Sequence, residues 1–549
     1  MIGVISRESQ RASVEEFFEL FKTPWEHCRE GGAYDVVITT DPAVPVPPAK
    51  LVIAFGSEGT PHDGRNGITI RSREERRDIE WKGAILPVYG QLATFENQPV
   101  PFLSAGGDSA SHYPGLSSCG FLRVGYDLFD EVRFLLRKGQ PVDRAQVPTL
   151  DIHIDMLRNW ILERGIPLVE IPPSPYGYDF ITCLTHDIDF MGIRDHKFDH
   201  TMLGFLYRSL VPKYTRGLDK KNVRERFFKN LRAVFSLPLV QAGLLPDIWY
   251  PLDKYAEVEK ELKSTFFFIP FKGQAGKPAG GKTARYRAAR YDVRRYREQI
   301  RSLQDRGREV GLHGIDLWHD PGKGRDEVAV IRGITGTDRV GVRMHWLYFS
   351  EETPKCLEEA GIYYDSTLGY NETVGFRSGT TQVFRLPGTS NVFELPLHVQ
   401  DTAMLYPGQM GVSEPQAIAL CNGLLEKFES YGGAFTVNWH DRSLAPERNW
   451  DSAYLALLGQ LRERKTWFAA AGDAVAWFEK RRDSRFDPAS SSGCIPRVRM
   501  RKEVCEKGPA LAIRVHQPVR SSGGIQGFRN SFVDYPVKIN EEIAVGYRA

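Results

Sequence analysis

The sequence predicts an α/β fold whose largest part, residues 176–480, is a parallel sheet closed or nearly closed into a barrel. Candidate strands and helices alternate from Tyr178 onward, and such alternation is typical of parallel strands joined by crossover helices. A segment of about 300 residues suits a (β/α) barrel with insertions. Polar residues directly follow several candidate strands, at the end where such barrels place their chemistry.

The candidate strands of this part are short runs rich in β-branched and aromatic residues. They cover 179–185, Thr265–Ile269, Glu309–His313, Val340–Met344, Ile362–Asp365, Val392–Leu397, Ala434–Trp439 and Thr466–Ala469. Apolar residues at three- and four-residue spacing predict helices between them. These helices cover Asp253–Lys263, Tyr291–Gln304, Glu414–Tyr431 and Asp451–Arg464.

Two further regions flank this part. Residues 1–175 predict a separate N-terminal α/β domain of unknown role, which ends in the Pro-rich run 171–175. Its predicted strands and helices are Asp35–Thr39, Leu51–Phe55, 128–138 and 150–163. Residues 481–549 predict a linker followed by a small β-rich tail.

Residues 191–250 interrupt the alternation with a basic, partly amphipathic insertion. Nine lysines and arginines lie between Arg208 and Arg232. A solvated helical insertion is the simpler interpretation. The alternative is a peripheral contact, through residues 191–235, with an anionic glycan or a membrane surface.

The composition of the 549-residue chain is that of an ordinary globular protein, with 42% hydrophobic and 26% charged residues. Its net charge of +3 is too small to favour a nucleic-acid partner. The seven cysteines form no CxxC pair, which argues against a disulfide framework or a zinc knuckle. Because neither a secretory leader nor a membrane-spanning run is visible, we expect a cytoplasmic protein. The sequence makes no prediction of oligomeric state.

The end of the first candidate strand is the most informative stretch. An apolar run from Phe180 leads into His186, Asp187, Ile188 and Asp189, so two carboxylates stand one residue apart at the end of a buried strand. Like charges this close have to be neutralised by a metal, a proton or a cation. Four histidines elsewhere are candidates for the other half of such a site, namely His313, His319, His345 and His440.

The chemistry of these residue types points to hydrolysis. A carboxylate with one or two imidazoles makes a site for zinc, or for another first-row metal such as cobalt or nickel. Such a metal polarises a carbonyl and activates water. A free carboxylate beside it can accept a proton from that water, and His440 can give one to a leaving amine. The residues therefore predict metal-assisted hydrolysis of an amide or ester.

Five motifs occur in a specific order along this part of the chain. They are Thr185-His186-Asp187-Ile188-Asp189, Glu309-Val310-Gly311-Leu312-His313-Gly314, Gly341-Val342-Arg343-Met344-His345, Tyr364-Asp365-Ser366-Thr367-Leu368-Gly369-Tyr370 and Val437-Asn438-Trp439-His440-Asp441. Together they resemble the polysaccharide deacetylase (NodB-homology, carbohydrate esterase family four) family. The likeness is greatest to the branch whose first motif is THDxD and which carries a separate N-terminal domain. It spans about residues 177–480.

The resemblance implies a distorted (β/α)7 barrel that removes N-acetyl groups from amino-sugar polymers. It implies that Asp187 is the general base and His440 the general acid. Asp189 and His313 would be metal ligands. Arg343 would orient the base and balance its charge. The implied cofactor is a divalent metal, with zinc expected and cobalt or nickel as alternatives.

The resemblance also implies how an N-acetylated sugar or polysaccharide is held. Trp439 would form part of the wall that contacts the acetyl group. Arg377 lies in a stretch that this branch shares, and it is taken as substrate-binding. Trp346 and Tyr348 are interpreted as packing residues rather than as platforms for a sugar ring.

One position departs from the family pattern. The common second motif has another histidine four residues after the first, and here that position is Leu317, which cannot bind a metal. We expect His345 to serve as the third ligand, because this branch usually has a histidine there. His319 is the alternative.

Three other interpretations remain open. Asp187 and Asp189 could cap a helix or form a structural ion pair, and His440 could pair with Asp441. A catalytically silent glycan-binding or polysaccharide-biosynthesis accessory protein would also fit the loss of a histidine at position 317. A similar barrel could instead hydrolyse a small non-sugar amide.

Overall fold

The computed structural model describes residues 1–96, 102–112, 120–211, 220–280, 287–486, 498–499, 508–517 and 531–537. The chain divides into two compact units. The first unit is made of Met1–Tyr176, Ser378–Thr380 and Trp477–Ala549. The second unit is made of Gly177–Arg377 and Thr381–Ala476.

The N-terminal part of the first unit combines helices with many short strands. The strands are β1 Ile2–Ile5, β2 Trp25–His27, β3 Tyr34–Thr39, β4 Ala49–Phe55, β5 Ile70–Glu75, β6 Asp78–Trp81, β7 Ala84–Pro87, β8 Gln91–Phe95, β9 Ser104–Ala105, β10 Asp108–Ser109, β11 Ser111–His112, β12 Gly120–Val124 and β13 Leu168–Glu170. The helices are α1 Arg11–Phe21, α2 Pro61–Arg65, α3 Leu128–Arg137 and α4 Thr149–Glu163.

The second unit begins with the longest strand of the chain. Its strands are β14 Phe180–Ile188, β15 Ser264–Phe268, β16 Glu309–Gly314, β17 Gly341–Met344, β18 Tyr364–Asp365, β19 Phe384–Arg385, β20 Phe393–Glu394, β21 Val399–Gln400, β22 Ala434–Asn438 and β23 Thr466–Phe468. Its helices are α5 His200–Leu210, α6 Lys220–Gln241, α7 Pro251–Glu259, α8 Arg297–Asp305, α9 Pro321–Thr335, α10 Thr353–Glu359, α11 Asp401–Leu405, α12 Glu414–Tyr431 and α13 Asp451–Arg462.

The remaining elements follow the second unit in the sequence. They are α14 Ala471–Asp483, which begins in the second unit, and the strands β24 Arg485–Phe486, β25 Val498–Arg499, β26 Ala512–Gln517 and β27 Ser531–Pro536. Short 3-10 helices cover Glu8–Gln10, Val142–Arg144, Ile193–Asp195, Val293–Tyr296 and His345–Leu347.

The first unit contains three of its own larger sheets. One has the order β11-β12-β4-β3-β1-β2 and is parallel except for β11. A second, antiparallel sheet has the order β5-β8-β10-β9-β6-β7. The third has the order β13-β26-β27, so the described part of the predicted tail pairs with the strand before residue 176. Two strands of the parallel sheet, β3 and β4, lie where the sequence predicted strands at Asp35–Thr39 and Leu51–Phe55, and the antiparallel sheet was not predicted.

The second unit is built on one ten-stranded sheet, which confirms the mixed α/β prediction. Its order is β19-β20-β18-β17-β16-β15-β14-β22-β21, with β23 also paired to β14, and only the β19–β20 pair is antiparallel. All eight predicted strands are present within a few residues of their expected bounds.

The sheet curls into a half-barrel, in contrast to the predicted closed or nearly closed barrel. Strands β18 to β21 are each two residues long. The long connection between β18 and β19 contains no helix, whereas a regular barrel would have a crossover helix there. Short strands and irregular loops therefore replace the regular repeat on this side of the sheet.

The middle of the sheet holds the core of the second unit. All nine residues of β14 are buried, as expected for a parallel strand covered on both faces. Helix α9, which the periodicity did not predict, begins with Asp320 accepting from the backbone of Gly322 and Lys323 and ends at Gly336 with φ 69°. No helix in the described ranges is long and apolar enough to cross a bilayer.

Candidate active site

Parallel strands bring the predicted polar residues to one edge of the ten-stranded sheet. Asp187 is near the end of β14, and Asp189 follows the strand directly. Strand β16 ends just after His313, and β17 ends one residue before His345. In the register of these two strands, His313 is opposite Arg343. Adjacent parallel strands therefore carry these residues to the same edge.

Three potential ligand atoms converge at this edge. The carboxylate oxygen of Asp189 and one ring nitrogen each of His313 and His345 all lie within 4.8 Å of one another. Asp189 Oδ1 is 3.3 Å from His313 Nε2 and 3.1 Å from His345 Nδ1. Apart from these two ring nitrogens, no hydrogen-bond partner of this buried oxygen is described. A carboxylate oxygen and two imidazole nitrogens fit a divalent first-row metal.

The protonation of the trio suits metal binding. His313 Nδ1 lies 2.9 Å from the carbonyl oxygen of Arg343, so a proton on Nδ1 leaves a lone pair on Nε2, which lies 2.9 Å from His345 Nδ1. Burial lowers the pKa of His345 to about 4, so its imidazole is neutral at ordinary pH. Burial alone would raise the pKa of Asp189, but the two histidines outweigh it and hold the pKa well below its usual value.

The structure brings His345, and not His319, into this trio. His319 lies on the turn that follows β16, and its Nε2 is 3.0 Å from Asp316 Oδ1. The same carboxylate also accepts from Lys323 Nζ at 2.9 Å. Leu317 is fully buried and packs beside Gly324 of α9, where an added Cβ would meet its side chain at 2.2 Å. Leu317 and His319 therefore contact α9 and Asp316, respectively, and not the trio.

A left-handed turn holds His345 in place. Trp346 and Leu347 have φ angles of 65° and 53°, a conformation that bulky residues seldom adopt. Arg287 donates to the carbonyl oxygen of His345 at 2.9 Å, and Asn371 donates to that of Trp346 at 3.1 Å. The Trp346 ring is half-buried beside the His345 ring, with 5.7 Å between their centroids.

Asp187 is a buried carboxylate held from two sides. Arg343 Nη1 donates to its Oδ1 at 3.1 Å, and Asn438 Nδ2 donates to its Oδ2 at 2.8 Å. Burial alone would raise the pKa of Asp187, but Arg343, with smaller contributions from His313 and His440, outweighs it and lowers the pKa. The carboxylate therefore stays ionised and can accept a proton.

The fourth motif supports Arg343 from behind. Arg343 Nε donates to the carbonyl oxygen of Ser366 at 2.9 Å, and Nη2 donates to Ser366 Oγ at 2.8 Å. Thr367 Oγ1 accepts from the backbone of Met344 at 3.0 Å. The role of this motif in the described structure is thus to fix the arginine that contacts Asp187.

His440 is paired with Asp401, a residue that the sequence analysis missed. Its Nδ1 is 2.6 Å from Asp401 Oδ1, and its backbone nitrogen donates to Oδ2 at 2.7 Å. Burial alone would lower the pKa of His440, but Asp401 outweighs it, with Asp187 and Asp189 adding to the effect, and the pKa rises to about 9. His440 is therefore protonated at neutral pH and can donate a proton.

The pairing of His440 with Asp441, which the sequence left open, is wrong. Asp441 accepts instead from the backbone nitrogens of Phe190 and Arg442. Strand β21 pairs in parallel with β22, so Asp401, the first residue after β21, lies beside the end of β22 that leads to His440. In the sequence, the signal for Asp401 is only its position directly after Val399 and Gln400.

The two residues predicted to bind substrate have other contacts in the described structure. Asn438 and His440 face the site, so alternation turns Trp439 to the other side of the chain. There its fully buried indole stacks on Tyr454, with 5.1 Å between centroids. Arg377 donates to the carbonyl oxygen of Gly369 at 2.8 Å and so braces the fourth motif. Neither has a described contact with the trio or with Asp187.

Comparisons with known proteins give weak likenesses. The sequence matches no protein-family model, and no curated protein matches it either. Among solved structures, a protein from Mycobacterium smegmatis provisionally named a polysaccharide deacetylase is 20% identical, with 56% of this chain and 95% of that chain covered and a TM-score of 0.34.

Two other solved structures show similar coverage. A probable polysaccharide deacetylase from Pseudomonas aeruginosa is 16% identical, with 58% of this chain and 97% of that chain covered and a TM-score of 0.34. A family 4 acetyl xylan esterase from Clostridium thermocellum, in complex with cobalt, is 13% identical, with 54% and 91% covered and a TM-score of 0.23. These TM-scores are too low to assign a family or an activity.

Proposed function

We propose that the second unit is a metal-dependent hydrolase that removes N-acetyl groups from an amino-sugar or polysaccharide substrate. The observation that carries the proposal is the convergence of three kinds of group at one sheet edge. These groups are a ligand trio, an ionised carboxylate and a protonated histidine. Metal-assisted hydrolysis of an amide uses a bound metal, a general base and a general acid. The choice of an N-acetylated sugar rests on the five ordered motifs, which resemble those of polysaccharide deacetylases.

Asp189, His313 and His345 would hold the metal. When bound, a divalent ion would supply Lewis-acid polarisation of the substrate carbonyl and of the attacking water. The donor set suits zinc, and also cobalt or nickel. The proposed barrel is of the distorted (β/α)7 type, with its regular strands on the side that carries these ligands.

Asp187 would act as the general base. Arg343 and Asn438 each occupy one lone pair on a different oxygen, so a further lone pair remains to accept the proton of the attacking water. The fixed cation also balances the buried negative charge before the proton arrives. Two hydrogen bonds to Ser366 fix the orientation of the Arg343 guanidinium that contacts Asp187.

His440 would act as the general acid. The carboxylate of Asp401 binds Nδ1, which leaves the Nε2 proton for the leaving amine nitrogen. Protonation of that nitrogen allows the C–N bond to break and releases acetate and a free amino sugar. Asp401 is a positioning residue in this scheme, because it acts through the imidazole.

The first test measures the metal content of the full-length protein by elemental analysis. We expect about one divalent ion per chain in the wild type and loss of that ion in Asp189→Ala, His313→Ala and His345→Ala. His319→Ala is the matched control, since this histidine binds Asp316 instead of the trio, and it should keep the ion.

The second arm measures product release from the metal-loaded protein. We expect acetate from oligomers of N-acetylglucosamine, and its loss in Asp187→Asn with the metal still bound. Release of amine from small amides, without acetate from oligomers, would favour the small-amide hydrolase. Metal and tight oligomer binding without turnover would favour the silent glycan-binding protein. A wild type that takes up no zinc, cobalt or nickel would contradict the proposed site.

A further inference from the structure

The helical insertion, residues 191–250, exposes an unusual amount of apolar surface. Large hydrophobic residues with exposed side chains number 23 in the described parts of the chain, and eleven of them lie between Phe198 and Leu245. Phe198 is 88% exposed, Phe235 75% and Leu244 73%. Such a concentration in one segment points to an interaction site, since scattered exposed residues are ordinary and clustered ones are not.

The inner face of the insertion is packed and fixed. Its core consists of Ile193, Met202, Phe205, Ala233, Leu237, Val240, Trp249 and Ala445. On α6, Arg226 donates to Glu414 at 2.5 Å and Lys229 donates to Asp451 at 2.9 Å. These contacts hold α6 against the helices that cover the sheet. The exposed apolar residues therefore belong to a firmly placed outer face.

The outer face follows helical spacing on both helices. On α5, Leu203, Tyr207 and Leu210 are spaced by four and three residues, opposite the buried Met202 and Phe205. On α6, the exposed residues Arg224, Phe228, Arg232, Phe235 and Leu239 are spaced by four, four, three and four residues. They form one continuous row, and the Arg224 guanidinium lies 5.7 Å from the Phe228 ring centroid.

The charge of the insertion is strongly positive. Residues 198–245 contain nine lysines and arginines and three acidic residues, a formal charge of +6. Because the whole chain has a charge of +3, all other residues together sum to −3. The exposed row of α6 contains two arginines and no acidic residue. Glu225, three residues before Phe228, is the one acidic residue in the described part of α6, so positive charge predominates beside the apolar row.

We propose that the outer face of the α5–α6 insertion binds the surface of a bilayer that contains anionic lipid. Aromatic and aliphatic side chains beside arginines are the combination that enters the headgroup region of such a membrane. The insertion would lie in the interface, with Phe198, Phe228 and Phe235 reaching the acyl boundary. Arg224 and Arg232 would contact lipid phosphates. None of these residues belongs to the proposed active site, so the two proposals stand separately.

The experiment is co-sedimentation of the full-length protein with vesicles of phosphatidylcholine, with or without phosphatidylglycerol. We expect binding to the vesicles that contain phosphatidylglycerol, weakened by added salt because the charges are exposed. The variant Phe198→Ser/Phe228→Ser/Phe235→Ser should lose this binding. Its matched control, Ile85→Ser/Val142→Ser/Leu455→Ser, removes exposed apolar residues elsewhere and should keep it.

A second pair of variants tests the charge. Arg224→Gln/Arg232→Gln should lower partitioning onto the anionic vesicles by roughly 30-fold, from the usual contribution of an arginine near such a surface. The control Arg290→Gln/Arg301→Gln removes two exposed arginines outside the insertion and should leave partitioning within about twofold.

Three outcomes would overturn the proposal. The first is no binding of the wild type to anionic vesicles at low salt. The second is equal loss of binding in the test and control variants. The third is a stable dimer in sedimentation velocity that the phenylalanine variant converts to a monomer, since a second copy would then cover this face. Thermal unfolding followed by circular dichroism should be unchanged in every variant, because substitutions of exposed residues seldom alter stability.

Discussion

The strand ends of the second unit and the outer face of the α5–α6 insertion depart from ordinary folding rules in opposite directions. At the strand ends, the charged residues Asp187, Arg343 and Asp401 are buried. On the insertion, large apolar residues such as Phe235 are exposed. Burying charge and exposing apolar surface both cost free energy in an isolated chain.

The two regions differ in how this free-energy cost is compensated. Each buried charge has partners inside the unit: Arg343 contacts Asp187, and Asp401 contacts His440. By contrast, exposed residues of the insertion such as Phe198, Phe235 and Leu244 keep most of their surface accessible in the described structure. The buried charges at the strand ends are therefore compensated within the unit. The insertion gains its compensation from a separate surface, as proposed above.

The largest effect is expected from breaking a buried ion pair at the strand ends. Arg343→Met leaves the Asp187 carboxylate buried without its cation, which costs about 3–5 kcal/mol of unfolding free energy. It also removes the group that orients the proposed base, so deacetylation should fall by about 10³-fold or more. Denaturant unfolding and kcat/KM would measure the two effects.

The control is another buried arginine, Arg123, whose Nε donates to Asp63 at 3.0 Å in the first unit. Arg123→Met should cost a comparable amount of stability and leave kcat nearly unchanged under conditions where the protein is folded. Equal loss of kcat in both variants would mean that Arg343 acts only on stability.

A smaller effect is expected when the partner of the proposed acid is changed. Asp401→Asn removes the negative charge that, with the smaller effects of Asp187 and Asp189, keeps the pKa of His440 at about 9. Burial then favours the neutral imidazole and lowers its pKa. Since the protonated form is the active acid, the alkaline limb of the kcat/KM profile should move to lower pH. Activity at mildly alkaline pH should drop by about 10²-fold.

Asp441→Asn is the matched control for this profile. Asp441 is adjacent in sequence but accepts hydrogen bonds from the backbone of Phe190 and Arg442. Its variant should leave the alkaline limb close to its wild-type position. A larger shift in Asp441→Asn than in Asp401→Asn would restore the pairing that the sequence left open.

The smallest change in unfolding free energy is expected from a substitution on the outer face of the insertion. Phe235→Ser removes an exposed ring and should change the unfolding free energy by no more than about 0.5 kcal/mol. Phe205→Ala, on the inner face of the same insertion and against Trp249, should cost about 3–5 kcal/mol. Denaturant unfolding compares them. A large loss in Phe235→Ser would mean that the outer face is covered within the chain.

Sequence patterns predicted the regular part of the second unit well and its irregular part poorly. Strand β14, with its long apolar run and terminal carboxylates, was found where expected. Strands β18 to β21 are each two residues long. Such strands are too short for hydrophobic periodicity to show where they begin and end. The partner of His440 was missed because Asp401 is 39 residues away and has no motif of its own.

The choice of a third member for the trio of potential ligands also depended partly on the sequence and partly on the tertiary structure. The motif that contains Arg343 and His345 made His345 the preferred choice, yet His319 remained open. Pairing of β16 with β17 decides between them, because the register carries His345 to the end of β16. In the turn after β16, His319 instead forms a hydrogen bond with Asp316. The substrate-binding roles of Trp439 and Arg377 stay predictions. In the described structure Trp439 stacks on Tyr454 and Arg377 donates to the carbonyl oxygen of Gly369.

By itself, the sequence determined the α/β class of the second unit, the approximate strands and the residue types available for hydrolysis. These depend on local periodicity and on the chemistry of single side chains. Tertiary structure alone decided which histidine joins Asp189 and which carboxylate raises the pKa of His440. It also decided which face of the basic insertion stays exposed. Those outcomes depend on strand register and on packing between residues far apart in the chain, and no local pattern encodes the distances between them.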